Sequence, residues 1–276
     1  MALNGQTTSN FNLYKPSLQD SPPDITSTNN NWDIVDRELK KLGDSSLPAN
    51  IRSKLPSTVT TTEVKYIYMS PNGNDSADGT STAPLKTIST AIARFGGTAR
   101  LVLTFNAGTY TETNPIEVAG CTGVEFAVVE GASVTLNILY YQHGGYFNAS
   151  NIKFVSPTGT THNLLSFYGA TAYFGNCTFN ATNAALAFRN GSQGVVLECV
   201  FNNCGYVVYS MGGSLVSLNI ISGANNTYGY YSAGGIITVG TSTVTATNLA
   251  TKSAGGVIFR GGNLFGTTAN TFVNAT

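Results

Sequence analysis

Cleaving a glycosidic bond takes two carboxylates about 5 to 9.5 Å apart, and carboxylates are scarce in most of this chain. Past residue 100 the acids are Glu112, Glu117, Glu125, Glu130 and Glu198, and no Asp follows Asp78. Glu125 and Glu130 flank one short apolar run and are the candidate catalytic pair. Residues that bound a strand in this way also read as solvated rim charges, and that reading is preferred. His143 and His162 have no nucleophile and acid close to them in sequence. A lone His is usually a hydrogen-bonded structural residue. Asn74, Ser76, Asp78 and Gly79 mimic the start of a calcium loop, but Leu85 stands where its bidentate Glu belongs. Turn chemistry accounts for those Asn, Asp and Gly residues. Cys121, Cys177, Cys199 and Cys204 fit no zinc spacing and are expected to be free, buried thiols. No catalytic residue, metal or cofactor is therefore assigned.

Tyrosine is abundant. It is densest in YYQHGGYFN (140–148) and NNTYGYYSAGG (225–235). A phenol ring offers a flat apolar face and a polar tip, which suits sugar rings, protein interfaces and core packing alike. Tyr140, Tyr141, His143, Tyr146, Tyr228, Tyr230 and Tyr231 are the candidate glycan contacts.

The elements that must position these residues are mostly strands. Only 10% of the 276 residues are charged, against about 25% in an ordinary domain. Net charge is zero, so no general field favours a nucleic-acid partner. No apolar run is long enough to cross a membrane as a helix, and the polar MALNGQTTSN start does not read as a signal peptide.

Three segments are expected. Residues 1–57 hold a Pro-marked arm and then a short helix with Trp32, Val35, Leu39 and Leu42 in an a/d stripe. Such a helix is marginal alone and calls for packing, either on its own arm or against copies of itself. Residues 58–99 hold a strand, a turn-rich loop and an amphipathic helix with Leu85, Ile88, Ile92 and Phe95 on one face. Residues 100–276 repeat. RLVLTF, GVEFAVVEG, NIKFVSP, NCTFNAT, ECVFNNC and LNIISGANN recur at a period of roughly 20 to 30 residues, which is the signature of a solenoid. β-Branched and aromatic residues with Gly and Asn at corners make it an all-β one. Cys177 and Cys199 hold matching places, as do Phe179 and Phe201, and are expected to stack as interior ladders. The amphipathic helix would then close the first coil's open end.

YIYMSPNGNDSADGTSTAPLKTISTAI resembles the opening motif of right-handed parallel β-helix proteins of the pectin-lyase-like class, which start with a strand and a capping helix. Lyases of that class use acidic calcium ligands and a Lys or Arg base. The repeats here offer Lys153, Arg189, Lys252 and Arg260 but no Asp. NFNLYKPSLQDSPPDITSTNNNWDIVDRELKKLG resembles the start of tail-fibre and receptor-binding proteins of phages of Gram-positive bacteria. This second resemblance implies a homotrimer on the virion, assembled in the host cytoplasm. Its arm would dock to other tail or baseplate proteins, and its β-helix would bind a host surface glycan. A tail-spike depolymerase is the alternative, and a bacteriocin fibre or prophage remnant would be the same object in another genome.

Overall fold

The computed structural model describes residues 6–7, 14–15, 64–97, 100–119, 123–260 and 273–274. The chain divides into two units, Met1–Thr58 and Val59–Thr276. In the first, Gln6–Thr7 pairs antiparallel with Tyr14–Lys15. The expected helix with Trp32, Val35, Leu39 and Leu42 lies outside the described residues, as does Cys121.

The second unit is the expected parallel β-solenoid, with seven coils between Arg100 and Ser253. On its first face nine strands pair in parallel order, from Val64–Met69 through Arg100–Phe105 to Val257–Arg260. Leu101, Val124, Phe147, Ala172, Gly194, Val216, Ile237 and Ile258 are consecutive register partners on that face. The second and third faces begin with Gly108–Thr111 and Ile116–Ala119. They merge into one sheet where the long strands Ile221–Ala233 and Ser242–Ser253 run through the corner between them.

Alternation along each strand sends every second side chain inward, and parallel register sets like positions one strand spacing apart. Phe154, Phe179 and Phe201 thus form a stack, with ring centroids 5.3 and 4.8 Å apart and planes within 9°. Cys177 and Cys199 are free and buried. The Cys199 sulfur accepts the Cys177 backbone N–H at 3.4 Å, so the matched thiols lie one above the other without a disulfide. The corner after the first face takes the left-handed conformation at Asn151, Asn176, Glu198 and Ile220, with φ of 61°, 51°, 56° and 51°. Asn176 Nδ2 donates to Asn151 Oδ1 at 2.6 Å, and short polar side chains tolerate this backbone. Ile220 does not fit it. A β-branched residue at positive φ crowds its own carbonyl, and the exposed Ile220 side chain recovers little by packing.

The helix runs over Ile88–Phe95, with Thr87 as its N-cap. Leu85 was expected in the helix but precedes it. Its backbone is taken by a parallel bridge to Met69, in which Leu85 N–H donates to Tyr68 O and Ser70 N–H to Leu85 O. Leu85, Ile88 and Ala91 are fully buried at the head of the core, and Ile92 and Phe95 pack partly buried against it. Two carboxylates fasten this lid. Asp75, in the turn-rich loop, accepts from Lys86 N–H, Thr87 N–H and Thr87 Oγ. Glu112, from the first coil, accepts from Ile88 N–H at 2.6 Å, Ser89 N–H at 3.3 Å and Ser89 Oγ at 2.8 Å.

Burial raises the Asp75 pKa, but the hydrogen bonds from Thr87 and Lys86 outweigh it and leave the carboxyl below its usual range. Its contribution to stability is therefore whole above that range and is lost as pH falls through the lower, folded value. Asp75→Ala is expected to cost about 1 kcal/mol near neutrality, with the gap to the parent closing below about pH 4; urea midpoints at pH 7 and pH 3 check this. Ile220→Asn is expected to raise stability by about 1 kcal/mol, read as a higher urea midpoint with an unchanged slope.

Candidate functional site

The five acids past residue 100 scatter. Glu112 is the only carboxylate lining a cleft of about 320 Å³ beside Asn114, Pro157, Thr160 and His162, and both its oxygens already hold the lid helix. Glu117 is exposed on the third face, and Glu198 is exposed at a corner. Glu125 lies on the first face in an ion pair with Arg100; that hydrogen bond and charge raise the Arg100 pKa. Glu130 is exposed in the turn after Gly123–Val128. No hydrogen bond joins any two of the five among the described residues.

The candidate glycan contacts divide by face. Tyr140 and Tyr230 are a correction: both point inward and are fully buried. Tyr140 O–H donates to Gln142 Oε1 at 2.5 Å, and the Tyr230 hydroxyl pairs with Ser242 Oγ at 2.6 Å. Burial pushes the Tyr230 phenol above its usual range. In a strand adjacent side chains must take opposite sides, so each Tyr-Tyr doublet sends one ring into the core. Tyr146 is partly exposed on the first face, where burial, the nearby Glu125 and, to a lesser degree, Tyr173 push its phenol up against Arg100.

Tyr141, His143, Tyr228 and Tyr231 share the outside of the third face, where they join residues that sequence reasoning had not grouped with them. One outward column runs Glu117, Tyr141, Ser166, Ala187, Tyr209, Tyr231. The column beside it carries His143, Tyr168 and Arg189. Tyr206 and Tyr228 stack at 4.6 Å, Tyr209 meets Tyr231 edge-on at 5.0 Å, and His143 lies flat on Tyr168 at 4.8 Å. Burial, then the neighbouring phenols, push the Tyr206 phenol up. Burial, Tyr168 and Glu117 do the same to Tyr141, with Arg189 acting against them. The missed signal was periodic: Tyr206 and Tyr209 recur as Tyr228 and Tyr231 one coil later.

Arg189 lies in the middle of this platform. Its Cζ is 5.7 Å from the Tyr168 ring centroid and 5.8 Å from that of Tyr209, so the guanidinium bridges a ring in the coil before and one in the coil after. Ala187 and Ser166, although on the outward column, are shut from water. Four buried side-chain polar atoms lack a partner among the described residues, and two of them are here: Arg189 Nε and Ser166 Oγ.

The first face carries a different surface. Leu215, Ile236 and Val257 follow one another in one outward column, with Val195 and Phe259 in the next. All five are exposed, Phe259 at 56%.

No protein-family model matches the chain, and no curated protein matches it. Among solved structures it is similar to a rhamnogalacturonan lyase at 11% sequence identity, over 68% of this chain and 75% of that one, with a TM-score of 0.27. A match this loose carries no argument about chemistry; the architecture stands on the strand pairing described above.

Arg189 rests on ring faces and takes part in no ion pair among the described residues, so removing its charge leaves no buried counter-ion. Arg189→Met is expected to shift stability by no more than about 1 kcal/mol, measured by thermal and urea unfolding.

Proposed function

We propose that this chain is a phage tail appendage that docks to the tail through its N-terminal segment and binds a host cell-surface glycan along the third face of its solenoid. The observation that carries the reading is the outward platform of Tyr141, His143, Tyr168, Arg189, Tyr206, Tyr209, Tyr228 and Tyr231, spread over coils two to six. Partly exposed rings on a rigid sheet present flat apolar area at little entropic cost, as sugar recognition requires. The arm motif quoted above supports the tail assignment, with the protein assembled in the host cytoplasm and carried on the virion.

The apolar exterior of the first face supports a homotrimer. All-parallel sheets are normally covered on both sides, and Val195, Leu215, Ile236, Val257 and Phe259 form a stripe that sister chains would cover. The platform is on another face and stays open in such an assembly.

Fluorescently labelled protein applied to the parent phage's host cells tests the reading. The full chain is expected to sediment as three copies and to coat the cells. Tyr209→Ala/Tyr231→Ala is expected to melt normally and lose at least tenfold in cell binding. Undiminished binding by that folded variant overturns the platform's role.

A further inference from the structure

We infer that the platform takes a carboxylate-bearing sugar, a uronic or sialic acid unit, with Arg189 as the residue that reads its acid group. The inference rests on the glycan-binding reading above and adds the ligand's charge.

Arg189 is, among the described residues, a cation without a counter-ion. Among the described residues its side chain has no hydrogen bond and no ion pair, and its surroundings are the rings of Tyr168 and Tyr209. On the third face no Asp or Glu follows Glu117 in any later coil. Nε is buried with no acceptor, and an unpaired buried donor is a standing cost that folded proteins normally avoid. The two ring faces beside the guanidinium satisfy none of its N–H donors. An incoming carboxylate supplies two coplanar oxygens that match two guanidinium donors at once, and it meets them on the edge that the half-buried side chain leaves open, since Nε itself is shut from solvent. One coil away and two residues back, Ser166 Oγ is also buried and unpartnered. Two unsatisfied polar atoms so placed, where the other buried serines among the described residues (Ser156, Ser192, Ser210, Ser214, Ser232, Ser242) are bonded, mark a polar spot just beneath the aromatic surface. Apolar ring faces beside one fixed cation suit a pyranose ring with a carboxyl substituent. A single guanidinium at this spot also fits one negative charge better than the denser charge of a phosphate.

Two experiments test this on the full chain. In the first, trigalacturonic acid and its methyl ester are titrated while tyrosine fluorescence is followed. In the second, the labelled protein is applied to an array of neutral, carboxylated, sulfated and phosphorylated glycans. Carboxylated glycans are expected to dominate the array, with the acid trimer binding at least tenfold tighter than its ester. Arg189→Gln is expected to erase that preference, and Arg189→Lys, which keeps the charge but not the fork, to keep only part of it. Unchanged melting curves exclude misfolding of either variant. Equal binding of acid and ester, a signal confined to neutral, sulfated or phosphorylated glycans, or a preference that survives in Arg189→Gln overturns the inference and leaves glycan binding standing. Silence across the array and in both titrations removes both.

Discussion

Each coil lies about 4.8 Å above the last, because that is the distance at which parallel strands share hydrogen bonds. This spacing forces every position to make contact with its counterparts in the coils before and after it, so each column must hold side chains that tolerate one another at that distance. Flat rings do, which is why Phe154, Phe179 and Phe201 run parallel. Serine does so by turning its hydroxyl to the backbone: Ser192 Oγ donates to Arg189 O, while Ser214 Oγ accepts from Ser192 N–H. Where the phenylalanine column ends, Gly223 stands against Phe201, and a Cβ there would fall 1.8 Å from the Phe201 carbonyl oxygen. Asn226 settles the polar groups that this break leaves. It donates to Phe201 O and Thr245 O and accepts from Cys204 N–H.

A stack with this rule has no natural first member. The chain supplies one by bending Leu85 into a bridge with Met69 and laying Ile88 and Ala91 over the open core. Polar groups left over at that junction are gathered by carboxylates from both sides, Asp75 from the loop and Glu112 from the coil beneath. Glu112 illustrates how a residue scarce enough to suggest chemistry can be fully occupied by architecture.

Much of the fold was legible because a repeat of 21 to 25 residues leaves its mark on composition and spacing alike. The strands and the thiol and phenylalanine ladders follow from reading like against like, and the capping helix from the apolar spacing of its own segment. The side chains' directions were harder. In YYQH a shift of one residue exchanges Tyr140 for Tyr141, and only the pairing of Tyr141 with Ser166 and Glu117 decides which ring faces out. The platform was half visible for a related reason. Dense tyrosine patches draw notice in a linear reading, whereas Tyr168, Arg189 and the Tyr206/Tyr209 pair stand most of a coil apart in the chain and converge only when the coils are stacked. Arg189 looked like an isolated base because nothing local shows that two rings, one a coil before it and one a coil after, lie beside its guanidinium.

The near-constant coil also governs how such a rod can change in evolution. Losing a single residue would invert a strand and turn core outward. Losing or duplicating a whole turn of about 22 residues, such as the step from Gly194 to Val216, keeps every column continuous and alters only the length. Length is thereby separated from stability, and the number of stacked turns becomes a quantity that selection can adjust in whole-turn increments.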